Sequence, residues 1–375
     1  MGKLDEIRPG VLNNEQLKLL ADKGIIQNLD TNQIDESSFD LHLGSTGYEM
    51  KGTTKPIEGR DYEEILDDDK YVKDRLTLKK PVVLRPGRTY VFKLKEAIYF
   101  KNGHYFRGQA TGRSSVGRLD VLTRLIGSHC PSYDELPSDF SGVLYLEVTP
   151  ITFSIMVKQG TALGQLRIFK GNPEDSELTG SVLEYYKDMF STTTGDNIRK
   201  LSLDLIPANV GIEKGGVKAS VFLARSNCLK VIDLTKGSNQ NRPEDFWVAQ
   251  VARENTLEIK PERFYIMKSK ERFRLPLDVA VYCQAVSETL GELRIHYAGF
   301  VHPGFGLKRE DKKGTPIIFE VRGHNVRTFL RENEKLAEIR FYRMSKPVNK
   351  KFVKSSYQKQ ELQLSNYFKS WGTKN

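Results

Sequence analysis

Alternation of apolar and polar positions dominates the chain. In "SSFDLHLGSTGYEM", Phe39, Leu41 and Leu43 alternate with Asp40 and His42, the period-two pattern of a half-buried strand. Similar short runs recur in "PVVLRPGRTYVFKL", "FSGVLYLEV", "TFSIMV" and "ALGQLRIF", most of them bounded by Gly, Pro, Ser or Asp. Such spacing predicts an all-β barrel or sandwich. One helix is expected near the start. "NNEQLKLLADKG" offers Asn13 or Asn14 as N-cap, Leu17, Leu19 and Leu20 as the apolar face, and Gly24 as the stop.

The pattern then repeats. "YLEVTPITFSIMVKQGTALGQLRIF" aligns without a gap on "IFEVRGHNVRTFLRENEKLAEIRFY", bringing Glu147 onto Glu320, Leu163 onto Leu336 and Arg167 onto Arg340 at an offset of 173 residues. Upstream, "LRPGRTYVF" aligns on "IKPERFYIM" at an offset of 175. A nearly constant offset over separate segments indicates a duplicated domain. The expected divisions are a first domain over 1–172, a polar connector over 173–200 containing "STTTGD", a second domain over 201–346, and a tail over 347–375.

Composition narrows the setting. Of 375 residues, 38% are apolar and 28% charged, and no apolar run approaches the roughly 20 residues of a membrane helix. The start, "MGKLDEIRPG", lacks the apolar core of a signal peptide and the Ser or Thr of a myristoylation signal. Cys130, Cys228 and Cys283 are far apart and form no CxxC. A reducing cytoplasm is therefore the expected location, and neither a structural zinc site nor the H-x-E…P-C-x-x-C zinc-deaminase signature is present. The net charge of +10 points to anionic ligands. The lysines are scattered, apart from "KPVNKKFVK" at 346–354, so small phosphorylated molecules suit the charge better than nucleic acid.

Candidate chemistry centres on "GRSSVGRLDV" at 112–121. Arg113 and Arg118 flank Ser114 and Ser115 on a glycine-bounded turn, a set able to hold an oxyanion such as phosphate. At the repeat offset the second copy reads "SETLGEL" and has lost both arginines and the paired serines. A scaffold needs the turn but not the arginines, so the asymmetry argues for function. Glu320 lies in the apolar strand "PIIFEVRG" and Glu147 in the matching "LYLEVTP". A carboxylate in such surroundings has its pKa raised towards that of a general base near neutral pH. "YAGFVHPGFG" marks a tight turn where backbone can approach a ligand. The tail "SSYQKQELQLSNYFKSW" carries more aromatic and amide groups than a solvating tail needs.

Together "GRSSVGR", "AGFVHPGFG", the strand glutamate of "FEVRGH" and the tail "YQKQ" resemble the dCTP deaminase and dUTP diphosphatase superfamily. Most of the chain is similar to the long, two-domain form of bacterial dCTP deaminase. The resemblance implies a mainly β fold of two tandem dUTPase-like distorted barrels with a few short helices, joined into a homo-oligomer with active sites between barrels. It implies that Arg113, Ser114, Ser115 and Arg118 hold the triphosphate and that Glu320 activates water, with Glu147 as runner-up base. The backbone of Ala298 and the side chain of His302 would meet the base, and Tyr357 and Gln360 of the tail would close over the nucleotide. It implies hydrolysis of dCTP to dUTP and ammonia, with Mg²⁺ entering on the triphosphate and no zinc. One departure stands out: the family usually carries Asp where this chain has His302. A dUTP diphosphatase, a bifunctional enzyme taking dCTP to dUMP, and a non-catalytic nucleotide sensor are the alternative readings.

Overall fold

The computed structural model describes residues 2–100, 103–190, 199–211, 216–285, 293–295, 299–310, 313–354 and 357–373. The early helix forms over Asn14–Asp22, with Asn13 as N-cap in a reciprocal capping box with Gln16. Its Leu17 and Leu20 are buried, whereas Leu19 is only partly so. The strand Phe39–Met50 follows, and Phe39, Leu41 and Leu43 are fully buried, as the alternation predicts.

Among the described residues two large sheets account for most of the fold. In the first, the strands run in the order Val121–Gly127, Ser141–Pro150, Tyr90–Tyr99, Phe39–Met50, Ala162–Lys170 and Phe106–Gly112. The second runs Trp247–Gln250, Val221–Ala224, Phe264–Phe273, Lys200–Asp204, Lys335–Arg343 and Val279–Ala285, with Thr315–Gly323 paired to Phe264–Phe273. The repeat is visible in the pairing. Glu147 opposes Val91 on an antiparallel neighbour, and Glu320 opposes Ile266 on the matching one.

The two halves are welded together. Val231–Asp233 of the second half pairs in parallel with Ser154–Val157 of the first, which pairs in turn with Val82–Leu84. Phe153 packs edge-on against Phe246 and Trp247, with ring centroids 5.6 and 5.4 Å apart. One apolar cluster therefore contains residues from both sheets.

Two stretches carry more structure than the sequence pattern shows. The stretch expected to be a polar connector contains a helix, Gly180–Phe190, and Leu178 and Leu183 are buried in the second core; "STTTGD" lies outside the described residues. The tail is more than a cover over a nucleotide. Leu362, Leu364, Tyr367 and Phe368 are buried in the shared core, and Phe368 lies against Phe246 and Trp247. Trp371 stacks on Phe222 at 5.3 Å, and the Gly372 amide donates to Glu244 Oε1 at 2.7 Å. The aromatic content that reads as ligand recognition is largely spent on packing.

Candidate active site

A cavity of about 360 Å³ lies where the first sheet, the second sheet and the tail meet. Arg113, Ser114, Ser115 and Arg118 line it from the first half, Glu320 and His302 from the second, and Tyr357 and Gln360 from the tail. Ala298 lies outside the described residues, but its neighbour Gly299 lines the same cavity. A Cβ on Gly299 would come 2.9 Å from the Thr111 side chain and 3.1 Å from the Gly112 carbonyl. Only glycine allows that backbone so close to the strand Phe106–Gly112.

Ser114–Gly117 forms a single helical turn that Arg113 enters in extended conformation. Arg113 Nε is 3.0 Å from Asp40 Oδ1. Burial pushes the Asp40 carboxyl up to about 6, with Arg113 opposing the shift. Arg118 is turned towards the tail. Its Nη2 donates to Gln360 Oε1 at 2.9 Å, and its Nη1 donates to the carbonyls of Gln363 and Leu364 at 3.2 and 3.4 Å. Its guanidinium also stacks on the Tyr357 ring, 4.4 Å from the centroid. Gln360 passes the tie on by donating to the Pro316 carbonyl at 2.9 Å, at the start of the Glu320 strand. Ser365 Oγ donates to the Ser115 carbonyl at 2.6 Å. Arg118 thus joins the turn to the tail as well as lining the cavity.

Glu320 is 2% exposed, and its Oε2 has no hydrogen-bond partner. Burial pushes its carboxyl up to about 8; Arg118 pulls it back and Asp120 adds to the rise. The carboxylate rests on Gly117: a Cβ there would overlap Oε2 and lie 3.0 Å from Cδ. A buried, unsatisfied carboxylate beside a fixed cation is costly for stability and suited to proton transfer.

His302 is half-buried, with Nδ1 3.0 Å from Ser37 Oγ. Arg167 donates to the same oxygen at 3.3 Å and to the Val281 carbonyl at 3.1 Å, and stacks on Phe300 at 3.9 Å. Burial holds the His302 imidazole below its usual pKa, while Glu36 and Asp35 oppose that shift. Glu147 is placed elsewhere. It is 3% exposed and has its carboxyl pushed up to about 7 by burial, moderated by the Thr54 amide and Tyr133 hydroxyl, but it does not line the cavity.

The sequence reading passed over Asp40, Ser37 and Arg167. Arg167 repeats as Arg340, which marks it as scaffold, and no local pattern announces that it will stack on Phe300. Asp120 was within a quoted motif and received no role.

Comparison with known proteins settles the family. Residues 8–172 match the 2'-deoxycytidine 5'-triphosphate deaminase (DCD) N-terminal domain, and residues 191–368 match the DCD C-terminal domain. The chain belongs to the dCTP deaminase family. Among solved structures it is similar to the crystal structure of 2'-deoxycytidine 5'-triphosphate deaminase from Agrobacterium tumefaciens, with a TM-score of 0.82 and 27% identity over 94% of this chain and 99% of that one. No curated protein sequence matches the chain. Membership of the dCTP deaminase family accords with a mainly β chain of paired barrel-like sheets. No helix among the described residues is long and apolar enough to cross a membrane. Nor do those residues include a group of three or more His, Cys, Asp or Glu side chains that could hold a metal ion.

Proposed function

We propose that the cavity carries out the family's reaction, hydrolytic deamination of dCTP to dUTP and ammonia, with Glu320 as the catalytic residue. The observation that carries this reading is the Glu320 carboxyl. It is buried, has a free oxygen, and is packed against the Arg113–Arg118 turn from the other half of the chain. Ionised Glu320 takes a proton from water as the oxygen attacks C4 of cytosine. The resulting carboxylic acid returns that proton to N3, and a further proton transfer through the same carboxyl releases ammonia as C4 becomes a carbonyl. Acid–base help of this kind contributes on the order of 10²–10⁴-fold. Placement of water and base within hydrogen-bond reach supplies much of the rest.

Arg113 and the Ser114 and Ser115 hydroxyls provide the cation and donors for the triphosphate, and Mg²⁺ arrives as part of the nucleotide complex. Arg118 and Asp120 act on the charge of Glu320, and Glu320 acts in turn on Cys283. This set suits proton transfer by a carboxyl group. His302 with Ser37, and the Gly299 backbone, face the base. The cavity between the halves is the interdomain active site, and Glu147 has no share in it. Assembly with copies of the same chain and a cytoplasmic location complete the proposal. The family resemblance supports the first, and three unpaired cysteines support the second. A monomer mass by light scattering would remove the oligomer.

The test is incubation with dCTP and with dUTP separately, in Mg²⁺, followed by identification of the nucleotides and ammonia. Equal amounts of dUTP and ammonia from dCTP are expected. Formation of dUMP and diphosphate would move the protein to the diphosphatase or bifunctional reading, and binding without product would make it a nucleotide sensor.

A further inference from the structure

Two residues beyond Arg118, the chain turns through Asp120 at φ +59°, and its side chain is fully buried. Asp tolerates that left-handed conformation better than most residues. Its carboxylate accepts from Arg322 Nη1 at 2.7 Å, and also from the Thr152 hydroxyl. Arg322 in turn stands two residues beyond Glu320 on the strand Thr315–Gly323. Residues two apart on a strand share a face, so Glu320 and Arg322 both address the first half of the chain. The first half answers with Arg118 and Asp120. A cation and a carboxylate on one side thus meet a carboxylate and a cation on the other, in register.

The second pair, unlike the first, is joined by direct hydrogen bonds. Arg322 Nη1 also donates to Thr152 Oγ1 at 3.1 Å, and Nη2 donates to Glu262 Oε2 at 3.1 Å. The Asp120 backbone is fixed too: its amide donates to the Gly117 carbonyl at 2.9 Å, and its carbonyl accepts from the Ile151 amide at 2.9 Å. Gly117, which supports the Glu320 carboxylate, is therefore tied by a backbone hydrogen bond to the residue that grips Arg322.

We propose that Asp120 and Arg322 are a pair of positioning residues: together they fix the register at which the Glu320 strand meets the Arg118 turn, and they balance the field in which Glu320 gains and loses its proton. This rests on Glu320 being the general base. Two opposite charges held close together largely cancel at a distance, and in a poorly solvated interior the removal of either leaves the other at full strength. Asp120 opposes ionisation of Glu320, and Arg322, ion-paired to Asp120, offsets that negative charge. The other ionisable groups lining the cavity with this carboxyl include Arg113 and Arg118 from the turn, Asp40, His302, the Cys283 thiol from Val279–Ala285 and Tyr357 from the tail; Glu262 faces Arg322 from the outside. None of these changes in the variants below.

The experiment is the pH profile of kcat/KM for dCTP, which reports ionisation in the free enzyme, measured for the full chain and for Asp120→Asn, Arg322→Gln, the double variant and Arg322→Lys. The rising limb assigned to Glu320 should move down by about one pH unit in Asp120→Asn and up by a similar amount in Arg322→Gln. The double variant should return the limb close to its original position while keeping a lower plateau, because the register contact is gone. Arg322→Lys keeps the charge and should leave the limb in place. A pair that only holds the halves together would lower all rates without displacing the limb, or displace it the same way in both single variants. Either result overturns the proposal. Glu320→Gln is the separate control: if that variant turns over dCTP at the full rate, it is the assignment of the base that fails.

Discussion

Glu320 costs the fold something, and the sign of that cost can be tested. Its folded pKa, about 8, stands above the usual 4.5 because burial disfavours the charge. The folded protein therefore binds more protons than the unfolded chain between those values. The associated stability is fully present below about 4.5 and is lost as pH rises through about 8. Glu320→Gln should abolish turnover and leave nucleotide binding intact, yet raise the melting temperature at pH 8 by roughly 2–4 °C. Calorimetry and a turnover assay on the same sample check both halves, and a lower melting temperature would contradict the buried-charge account. Gly117 offers a second test. Its φ is not positive, so the backbone accepts alanine, but the added methyl would occupy the place of the Glu320 carboxylate. Gly117→Ala should lower kcat on the order of 10²-fold with little change in stability, because the group that must yield is the end of a side chain. Unchanged kcat would mean that Glu320 does its work in another position. Both residues were visible in the sequence to different degrees: Glu320 as an ionisable residue in an apolar strand, and Gly117 only as a turn former. That Gly117 is the seat of the base depends on a helical turn and a strand that are far apart in the chain, which no local pattern encodes.

At the scale of elements, the tail shows composition marking an ordered segment without saying what the order serves. Its aromatic residues do mark an ordered segment, but Phe368 and Trp371 serve the core rather than a ligand. Among the described tail residues, Lys354, the stretch around Tyr357–Gln360 and Asn366 border the cavity, and Gln360 there bridges Arg118 and the Pro316 carbonyl. Removing 355–375 would therefore unseat buried side chains as well as open the site. The informative variants separate the two roles. Phe368→Ala should cost about 3–5 kcal/mol of stability, the usual range for a buried aromatic. Gln360→Ala should cost about 1–3 kcal/mol, less than Phe368→Ala, because it leaves an Arg118 nitrogen and the Pro316 carbonyl unpaired, and it should raise KM for dCTP several-fold by loosening the tail over the cavity. Denaturant titration and initial rates on both variants decide it, and a Phe368→Ala protein as stable as the parent would show the tail to be a detachable cover. The strands were legible because period-two alternation is a local property, and the offset of 173 residues made the duplication legible as well. The helix Gly180–Phe190 escaped although Leu183 and Tyr186, which pack on the second core, stand three residues apart as on one helix face.

The whole molecule joins its repeated halves more tightly than a duplicated sequence suggests. A linker between independent domains would leave each with its own closed core, linked by a modest and largely polar interface. Here strands of both halves share one small sheet, Phe153 sits between Phe246 and Trp247, and the tail threads the same cluster. Backbone pairing extends the joint, with Val11 bridged to Met344 and Asn241 to Phe368. Unfolding either half would expose apolar surface of the other and break those hydrogen bonds, so neither should melt alone. Scanning calorimetry of the full chain should give one endotherm with calorimetric and van't Hoff enthalpies in agreement. Phe153→Ala, which removes the ring at the joint, should lower that single transition and separate it into two. Two resolved transitions in the parent protein would mean that the halves are thermodynamically independent, and the cavity would then be formed only while they happen to be docked. A single transition ties catalytic geometry to global stability: the turn that carries Arg113 and the strand that carries Glu320 keep their distance because the core beneath them has no seam along which to part.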